Sequence, residues 1–230
     1  MKIAILQAEI TTEYVINKSN SIEENYRNFF KSLPFQLKFF NLQQGQWPDT
    51  YDGFSAFIIT GSKYDVDMPL PWIERLKKFV VEFKGPKLIG ICFGHQLIAH
   101  ALGGQVGPSS SEWNLGLNKI MIMKKTHWMN PYQEELHLIF NNRCEVQRLP
   151  ANSELLATST SNAHQMYQIG STILAMQFHP EFSKEYQCAL MDCNHDMLGK
   201  NAIISAKASY DKAHCSTEIV RKWISNFLTA

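Results

Sequence analysis

The sequence has no excess of charge of either sign. Lysine and arginine number 22 against 21 aspartate and glutamate residues, which leaves a formal net charge of +1. Proteins that bind the phosphate backbone of nucleic acids or an anionic membrane usually carry an excess of positive charge. We therefore expect neither nucleic acid nor a membrane as a partner.

Long hydrophobic runs are also missing. No stretch reaches the roughly 18 consecutive apolar residues that a membrane-spanning helix requires. The apolar run at residues 3–6 is too short for the central region of a signal peptide. These absences predict a cytoplasmic protein.

Cysteine is sparse, with five residues in a chain of 230. They are scattered along the chain at Cys92, Cys144, Cys188, Cys193 and Cys215. An odd number of cysteines without a secretory signal indicates free thiols rather than a disulfide framework. One of them is therefore available for chemistry.

No internal repeat or long linker divides the chain. Hydrophobic residues make up 45% of the sequence and charged residues 19%, which is typical of a globular protein with a substantial core. A length of 230 residues fits one large domain or two small ones. We predict a single domain over residues 1–230.

Strand-like and helix-like segments alternate in the first half. The predicted strands are residues 2–8, 35–42, 54–60 and 87–92, and the predicted helices are residues 21–33, 71–83 and 94–102. This alternation is typical of a parallel sheet covered by helices on both faces.

The second half has a different pattern. Strand-like runs separated by turns predict antiparallel pairs at residues 117–123, 154–159, 164–169 and 172–178. Two helices are predicted to close the chain, at residues 184–198 and 216–228. The predicted fold class is α/β, a central, mostly parallel sheet flanked by helices with an antiparallel extension.

The most informative pattern is Gly-Ile-Cys-Phe-Gly at residues 90–94, which places Cys92 where a buried strand meets a helix. A sharp turn of this kind holds a nucleophile exposed at the end of a sheet, and small neighbours leave room around it. The helix N-terminus favours a thiolate. The alternative is that Cys92 is a small buried hydrophobic residue.

A thiolate that cleaves an acyl bond needs a base, which is usually a histidine oriented by a third residue. The best candidate is His179 in the sequence His-Pro-Glu, where Pro180 ends a predicted strand and Glu181 can accept a hydrogen bond from the imidazole. Without Cys92, a histidine at a strand end beside a solvated glutamate would be the simpler interpretation.

These two motifs together resemble the class I glutamine amidotransferase family, in its branch with a Cys-His-Glu triad. The sequence is most similar to stand-alone members related to the amidotransferase domain of GMP synthase, a group that also contains γ-glutamyl peptidases. The resemblance covers about residues 1–185 and leaves a helical tail at residues 186–230. It implies a flavodoxin-like fold.

The resemblance implies a catalytic triad of Cys92, His179 and Glu181. Cys92 attacks the side-chain amide carbon of a small γ-glutamyl substrate such as glutamine, and His179 protonates the departing ammonia or amine. Water then hydrolyses the thioester, and Glu181 orients the histidine. This chemistry uses no metal and no organic cofactor.

The resemblance also assigns an oxyanion hole and a substrate contact. Residues 59–64 fall where the family has its oxyanion loop, so the expected donors are the backbone N–H of Phe93 and that of Gly61 or Ser62. Gln96 is expected to hold the glutamyl portion of the substrate.

One stretch departs from the family pattern. Where relatives read Ser-His-Gly-Asp, this chain reads Asn141-Asn142-Arg143-Cys144, so Asn142 replaces the histidine and Cys144 the acid. The stretch borders the substrate in the family, which makes Asn141 and Asn142 candidate binding residues. A γ-glutamyl compound other than free glutamine, or a changed ammonia acceptor, is consistent with this change.

The sequence favours a glutamine amidotransferase that hydrolyses glutamine to glutamate and ammonia, and two alternatives remain open. As a glutamine amidotransferase, the chain would pass ammonia to a separate synthetase subunit. As a free-standing γ-glutamyl peptidase it would need no partner, and a non-catalytic regulatory subunit would keep only the fold. The related chaperone and protease branch is disfavoured by the His-Pro-Glu motif and by Gln96. A zinc site in the tail is disfavoured because the spacing of Cys188, Cys193 and His195 does not match structural zinc sites.

Overall fold

The computed structural model describes residues 1–109 and 112–230. The β-strands are β1 (Lys2–Gln7), β2 (Gln36–Asn41), β3 (Ala56–Ile59), β4 (Leu88–Ile91), β5 (Gln105–Pro108), β6 (Asn114–Ile122), β7 (Glu135–Asn142), β8 (Cys144–Arg148), β9 (Ser153–Thr158), β10 (Met166–Ile169) and β11 (Ile173–Met176). The α-helices are α1 (Glu13–Lys18), α2 (Ile22–Phe30), α3 (Pro71–Val81), α4 (Phe93–Ala101), α5 (Lys184–Cys193), α6 (His195–Leu198), α7 (Lys200–Ser209) and α8 (Thr217–Thr229).

A large sheet organises these elements. Its strand order is β2-β1-β3-β4-β11-β10-β9-β6-β7, and β5 pairs with β8 in a separate ribbon. The strands from β2 to β11 pair in parallel, and the strands from β10 to β7 extend the sheet with antiparallel pairs. The predicted α/β class, with a parallel core and an antiparallel extension, is confirmed.

The two faces of the parallel half bury different hydrophobic clusters. In β1, Ile3 and Ile5 point into the cluster that contains side chains of α2 and α8. Ala4 and Leu6 point into the cluster that contains side chains of α3 and α4. Successive strand residues face opposite sides of a sheet, so strands covered on both faces have continuous apolar sequences. This explains why β3 and β4 are buried along their whole length.

The structure departs from the predicted elements in the second half. The predicted helix at residues 184–198 is interrupted at Asn194, where α5 ends and the short α6 follows. Helix α7 was not predicted, and its sequence gives a weak signal because Ala206 is its one buried residue. Strands β7 and β8 were also not predicted. In β7 the alternation of Leu136, Leu138 and Phe140, all buried, is the strand signal.

No helix within residues 1–109 or 112–230 combines the length and the hydropathy required to cross a membrane.

The turn from β4 into α4 depends on two glycines. A Cβ atom on Gly90 would lie 2.6 Å from the backbone carbonyl of Gly94, and a Cβ atom on Gly94 would overlap the carbonyl oxygen of Ile59 in β3. Helix α4 therefore lies directly against the ends of β3 and β4. This contact determines where the helix begins and where Cys92 is held.

We predict that Gly94→Ala lowers the free energy of unfolding by about 1–3 kcal/mol, because a methyl group at this position overlaps a backbone atom that cannot move independently of the sheet. Urea denaturation monitored by tryptophan fluorescence measures the effect. Ala101→Gly at the end of the same helix is the control, with an expected cost of about 1 kcal/mol or less from helix propensity and lost packing. A stabilised Gly94→Ala protein would contradict the close approach of α4.

Candidate active site

Cys92 lies at the junction of β4 and α4 in a strained conformation. Its backbone has φ 51° and ψ −101°, a positive φ that residues other than glycine rarely adopt. The N–H of Cys92 donates a hydrogen bond to the carbonyl of Met176, 2.9 Å away. Such strain persists only where surrounding contacts hold it, and it is concentrated at functional sites. The thiol is thereby held at the N-terminus of a helix, where negative charge is stabilised.

The sheet brings His179 to the same place. Strand β11 pairs in parallel with β4, with Met176 opposite Ile91, so the residues that follow both strands lie at one edge of the sheet. The N–H of His179 donates to the carbonyl of Ile139 in β7, 2.8 Å away. A Cβ atom on Gly61 would lie 2.7 Å from Cε1 of His179 and 3.5 Å from Cβ of Cys92. The predicted nucleophile, base and oxyanion loop therefore meet.

Glu181 completes this arrangement. Its Oε1 lies 2.9 Å from Nδ1 of His179, and the two side chains are 2% and 4% exposed, respectively. With Nδ1 donating to the carboxylate, Nε2 is the ring nitrogen left to exchange a proton with Cys92.

Phe182 was not singled out from the sequence. Its ring stacks on the imidazole of His179 with a centroid separation of 3.9 Å and an interplanar angle of 13°. The stacking restricts rotation of the imidazole out of its plane. The sequence signal for this contact was an aromatic residue directly after the His-Pro-Glu motif.

Opposing effects act on the charge of His179. Burial disfavours the imidazolium ion and by itself lowers the pKa of His179. Negative charge at Cys92 and Glu181, together with hydrogen bonds to both, outweighs burial and raises the pKa of His179 above its ordinary value. The arrangement thus favours a charged imidazole at His179 beside Cys92.

The loop that carries Gly61 and Ser62 is anchored to the end of β1. The Ser62 hydroxyl donates to the carbonyl of Ala8 at 2.9 Å, and the N–H of Ala8 donates to the Thr60 hydroxyl at the same distance. Phe93 is the first residue of α4, where backbone N–H groups have no partner within the helix. The backbone N–H groups predicted to form an oxyanion hole therefore lie on anchored elements around Cys92.

The candidate substrate-binding residues are linked to one another. Nε2 of Gln96 donates to the carbonyl of Cys144 at 2.7 Å and to Oε1 of Gln177 at 3.0 Å. Nδ2 of Asn142 donates to the same Cys144 carbonyl at 3.0 Å, and Oδ1 of Asn142 is buried without a hydrogen-bond partner in the described residues. Asn141 makes a different contact, since its backbone carbonyl lies 3.8 Å from Sγ of Cys92.

The Cys144 thiol is hydrogen-bonded to a carboxylate. Burial, the charge of Asp65 and a hydrogen bond to that carboxylate raise the pKa of the Cys144 thiol to about 11, so the thiol remains protonated near neutral pH. Its Sγ donates to Oδ1 of Asp65 at 3.5 Å, and Arg143 pairs with the other oxygen of the same carboxylate. The Cys144 thiol is therefore bound to an acid from the loop after Gly61.

The part of the chain that the structure describes holds no group of three or more His, Cys, Asp or Glu side chains suited to binding a metal ion.

The model of the family described as glutamine amidotransferase class-I matches residues 14–192. The chain belongs to the class I glutamine amidotransferase family. The family and the fold class expected from the sequence are thereby confirmed.

Relatives of two kinds are similar to the chain over different lengths. Gamma-glutamyl peptidase 4 of Arabidopsis thaliana is 30% identical, over 88% of this chain and 87% of that protein. One subunit of the glutamine-hydrolyzing GMP synthase of Saccharolobus solfataricus is 31% identical, over 56% of this chain and 68% of that protein. The solved structure of a glutamine amidotransferase from Thermotoga maritima has a TM-score of 0.78 at 15% identity and covers 99% of both chains, which shows a shared fold.

We predict that His179→Asn slows alkylation of Cys92 by iodoacetamide at least tenfold at about pH 6.5, where an ordinary thiol is only about 1% ionised. Because the raised pKa keeps His179 charged above its ordinary range, a positive charge faces Cys92 in the wild type between about pH 6 and 8, and the wild type should react faster than the variant over this range. The rate in the variant should rise about tenfold per pH unit over this range.

Mass spectrometry of the Cys92 peptide measures this labelling separately from the other four cysteines. His195→Asn is the control, because His195 is an exposed histidine in the tail. Equal rates for wild type and His179→Asn at the lower pH would contradict a charged His179 beside Cys92.

Proposed function

We propose that this chain hydrolyses γ-glutamyl amide bonds through a thioester on Cys92. The observation that carries the proposal is the geometry of one cluster, in which a strained cysteine at a helix N-terminus lies beside a buried His179 that is hydrogen-bonded to Glu181. A thiol, an imidazole and an orienting carboxylate in this order form a nucleophilic triad.

The reaction proceeds in two halves. The Cys92 thiolate adds to the γ-carbonyl carbon and forms a C–S bond, which gives a tetrahedral intermediate. The C–N bond then breaks as His179 transfers its proton to the departing nitrogen, which leaves the thioester. Water then attacks the thioester while His179 takes one of its protons. Collapse of this second intermediate releases glutamate and restores the thiolate and imidazolium pair.

The tetrahedral intermediates carry a negative oxygen. The N–H of Phe93 and an N–H of the loop at Gly61 or Ser62 stabilise this oxygen. Because hydrogen bonds to Ala8 already hold the loop in place, its N–H donors need not be ordered during the reaction. A single donor of this kind contributes on the order of 3 kcal/mol to lowering a barrier.

The γ-glutamyl group is held at its amino-acid end by amide oxygens. Both hydrogens of the Gln96 amide are used within the protein, so its Oε1 accepts from the substrate. Oδ1 of Asn142, buried and unpartnered in the described residues, accepts likewise. The substrate α-ammonium supplies the matching donors, and an unpaired buried acceptor gains most from such a partner.

We favour a γ-glutamyl peptidase over a glutaminase that serves a synthetase. Support comes from similarity to a protein named gamma-glutamyl peptidase over most of both chains, whereas the similarity to the GMP synthase subunit covers little more than half of this chain. Asn142 and Cys144, which differ from the family pattern, lie beside the proposed site. The glutaminase that passes ammonia to a separate synthetase subunit is the second candidate, since the GMP synthase subunit is also a relative.

The first test measures glutamate released from a panel of γ-glutamyl dipeptides and amines, and ammonia released from glutamine. We expect wild-type protein to turn over at least one γ-glutamyl peptide faster than glutamine. Cys92→Ala should lose at least about a thousandfold in kcat, because no other group can form the thioester.

Cys215→Ala is the control for this test, since Cys215 is an exposed free thiol. Faster release of ammonia from glutamine would favour the amidotransferase interpretation. No turnover, together with no labelling of Cys92 by an electrophilic glutamine analogue, would favour a regulatory role without catalysis.

A second prediction concerns substrate binding. Asn142→Leu should raise KM for the preferred γ-glutamyl substrate about tenfold with a much smaller change in kcat, because it removes an acceptor for the α-ammonium while leaving the triad in place. Steady-state kinetics measure the two parameters. The control is Asn201→Leu, the same change on the exposed surface of α7. An unchanged KM in Asn142→Leu would exclude this contact.

A further inference from the structure

We propose that Tyr26 is a positioning residue for the site, and that its hydroxyl donates a hydrogen bond to Oε2 of Glu181 and thereby holds the carboxylate in the orientation that His179 requires. The inference rests on the proposed function, because it deepens the role of the Glu181 carboxylate there. Neither the sequence motifs nor the family resemblance pointed to Tyr26.

Tyr26 reaches the site from a helix far away in sequence. Helix α2 begins after Ser21, whose side chain accepts from the N–H of Glu24 while the Glu24 carboxylate accepts from the N–H of Ser21, a complete capping box. Tyr26 lies five residues after Ser21, which is less than two helical turns, and its side chain is fully buried. Its ring belongs to the same hydrophobic cluster as Cys92 and Phe182.

Two buried polar atoms in this part of the core have no hydrogen-bond partner in the described residues. Oε1 of Glu181 accepts from His179, whereas Oε2 of Glu181 is buried and has no hydrogen-bond partner in the described residues. The hydroxyl of Tyr26 is likewise buried without one. The two groups lie close enough to interact, although not in the geometry of a regular hydrogen bond.

Leaving both atoms unpaired would be costly. A buried charged acceptor and a buried donor each lose their hydrogen bonds to water, and a phenol bound to a carboxylate is among the stronger protein hydrogen bonds. A small shift of the Tyr26 ring or of the carboxylate, which brings the hydroxyl oxygen and Oε2 into hydrogen-bond geometry, would satisfy both atoms. Each is the partner that the other lacks.

The electrostatics make Tyr26 a donor only. Burial is the largest effect on the hydroxyl, followed by the negative charges of Glu181 and Cys92 and a smaller influence of Tyr186, and all of them raise the pKa of Tyr26 well above its ordinary value. The phenol therefore keeps its proton throughout the working pH range. It can stabilise the Glu181 carboxylate without competing for the proton of His179.

Two hydrogen bonds to the Glu181 carboxylate hold it more firmly than one, and this is how Tyr26 affects the reaction. A carboxylate held only through Oε1 can rotate about its terminal bond and tilt the imidazole away from Cys92. With Oε2 bound to Tyr26, the plane of the carboxylate is determined, and with Phe182 stacked on the ring the imidazole is held as well. Tyr26 thus acts on the reaction through Glu181 and His179, without touching the substrate.

The test uses Tyr26→Phe, which removes only the hydroxyl. We expect kcat on the preferred γ-glutamyl substrate to fall roughly tenfold with KM unchanged, as for the loss of one charge-assisted hydrogen bond that orients a catalytic group. Alkylation of Cys92 near pH 6.5 should slow by a similar factor. The control is Tyr210→Phe, which removes another buried hydroxyl without a partner in the described residues, in this case from the end of α7.

A double-mutant cycle separates positioning from a general structural role. In a Glu181→Gln background, Tyr26→Phe should have little further effect on kcat or on alkylation, because its target is already altered. Equal effects of Tyr26→Phe with and without Glu181→Gln would overturn the proposal, as would unchanged kcat and alkylation in the single variant.

The alkylation readout needs no substrate, so it tests Tyr26 even if the proposed reaction is wrong. Slower alkylation in Tyr26→Phe without turnover of any γ-glutamyl compound would support the positioning role while contradicting the proposed function. Normal alkylation with full wild-type turnover of a γ-glutamyl substrate would support the function and overturn the role of Tyr26.

Discussion

The parallel pairing of β4 with β11 is the constraint on which the candidate site depends. Its register places Met176 opposite Ile91 and lets the N–H of Cys92 bond to the Met176 carbonyl. Because both strands run in the same direction, the loops that follow them emerge at one edge of the sheet, where open α/β folds place their sites. A shift of one residue would turn alternate side chains to the opposite face and separate Cys92 from His179.

In the site that this pairing creates, burial and neighbouring charges have opposite effects on the protonation of His179. The imidazole of His179 lies in a nearly dry environment that disfavours its charge, yet two acidic groups and a stacked phenyl ring surround it. In such an environment an unpaired charge is costly, so every partner matters more than it would in water. The same reasoning applies to the unpaired oxygen of Glu181, and it makes the nearby Tyr26 significant.

Short local patterns predicted a large part of the fold. The apolar runs of β1, β3 and β4 and the amphipathic pattern of α3 were readable because each depends on a few neighbouring residues. The omissions were elements with weak or mixed signals. Helix α7 buries a single alanine, β8 has only five residues, and both β7 and β8 are antiparallel strands whose partners lie elsewhere in the chain. Yet β7 carries the carbonyl groups that contact both His179 and Cys92.

The sequence by itself determined the family and the fold class, and it named Cys92, His179 and Glu181 as candidates, because the glycines around the cysteine and the His-Pro-Glu motif are contiguous patterns. Only the tertiary structure decided which distant residues complete the surroundings of that cluster. Phe182 stacks on the imidazole and Asp65 binds the Cys144 thiol. The contact of Asp65 and the proposed hydrogen bond of Tyr26 to Glu181 join positions far apart in the chain, so they depend on strand order and helix packing, which no local pattern encodes.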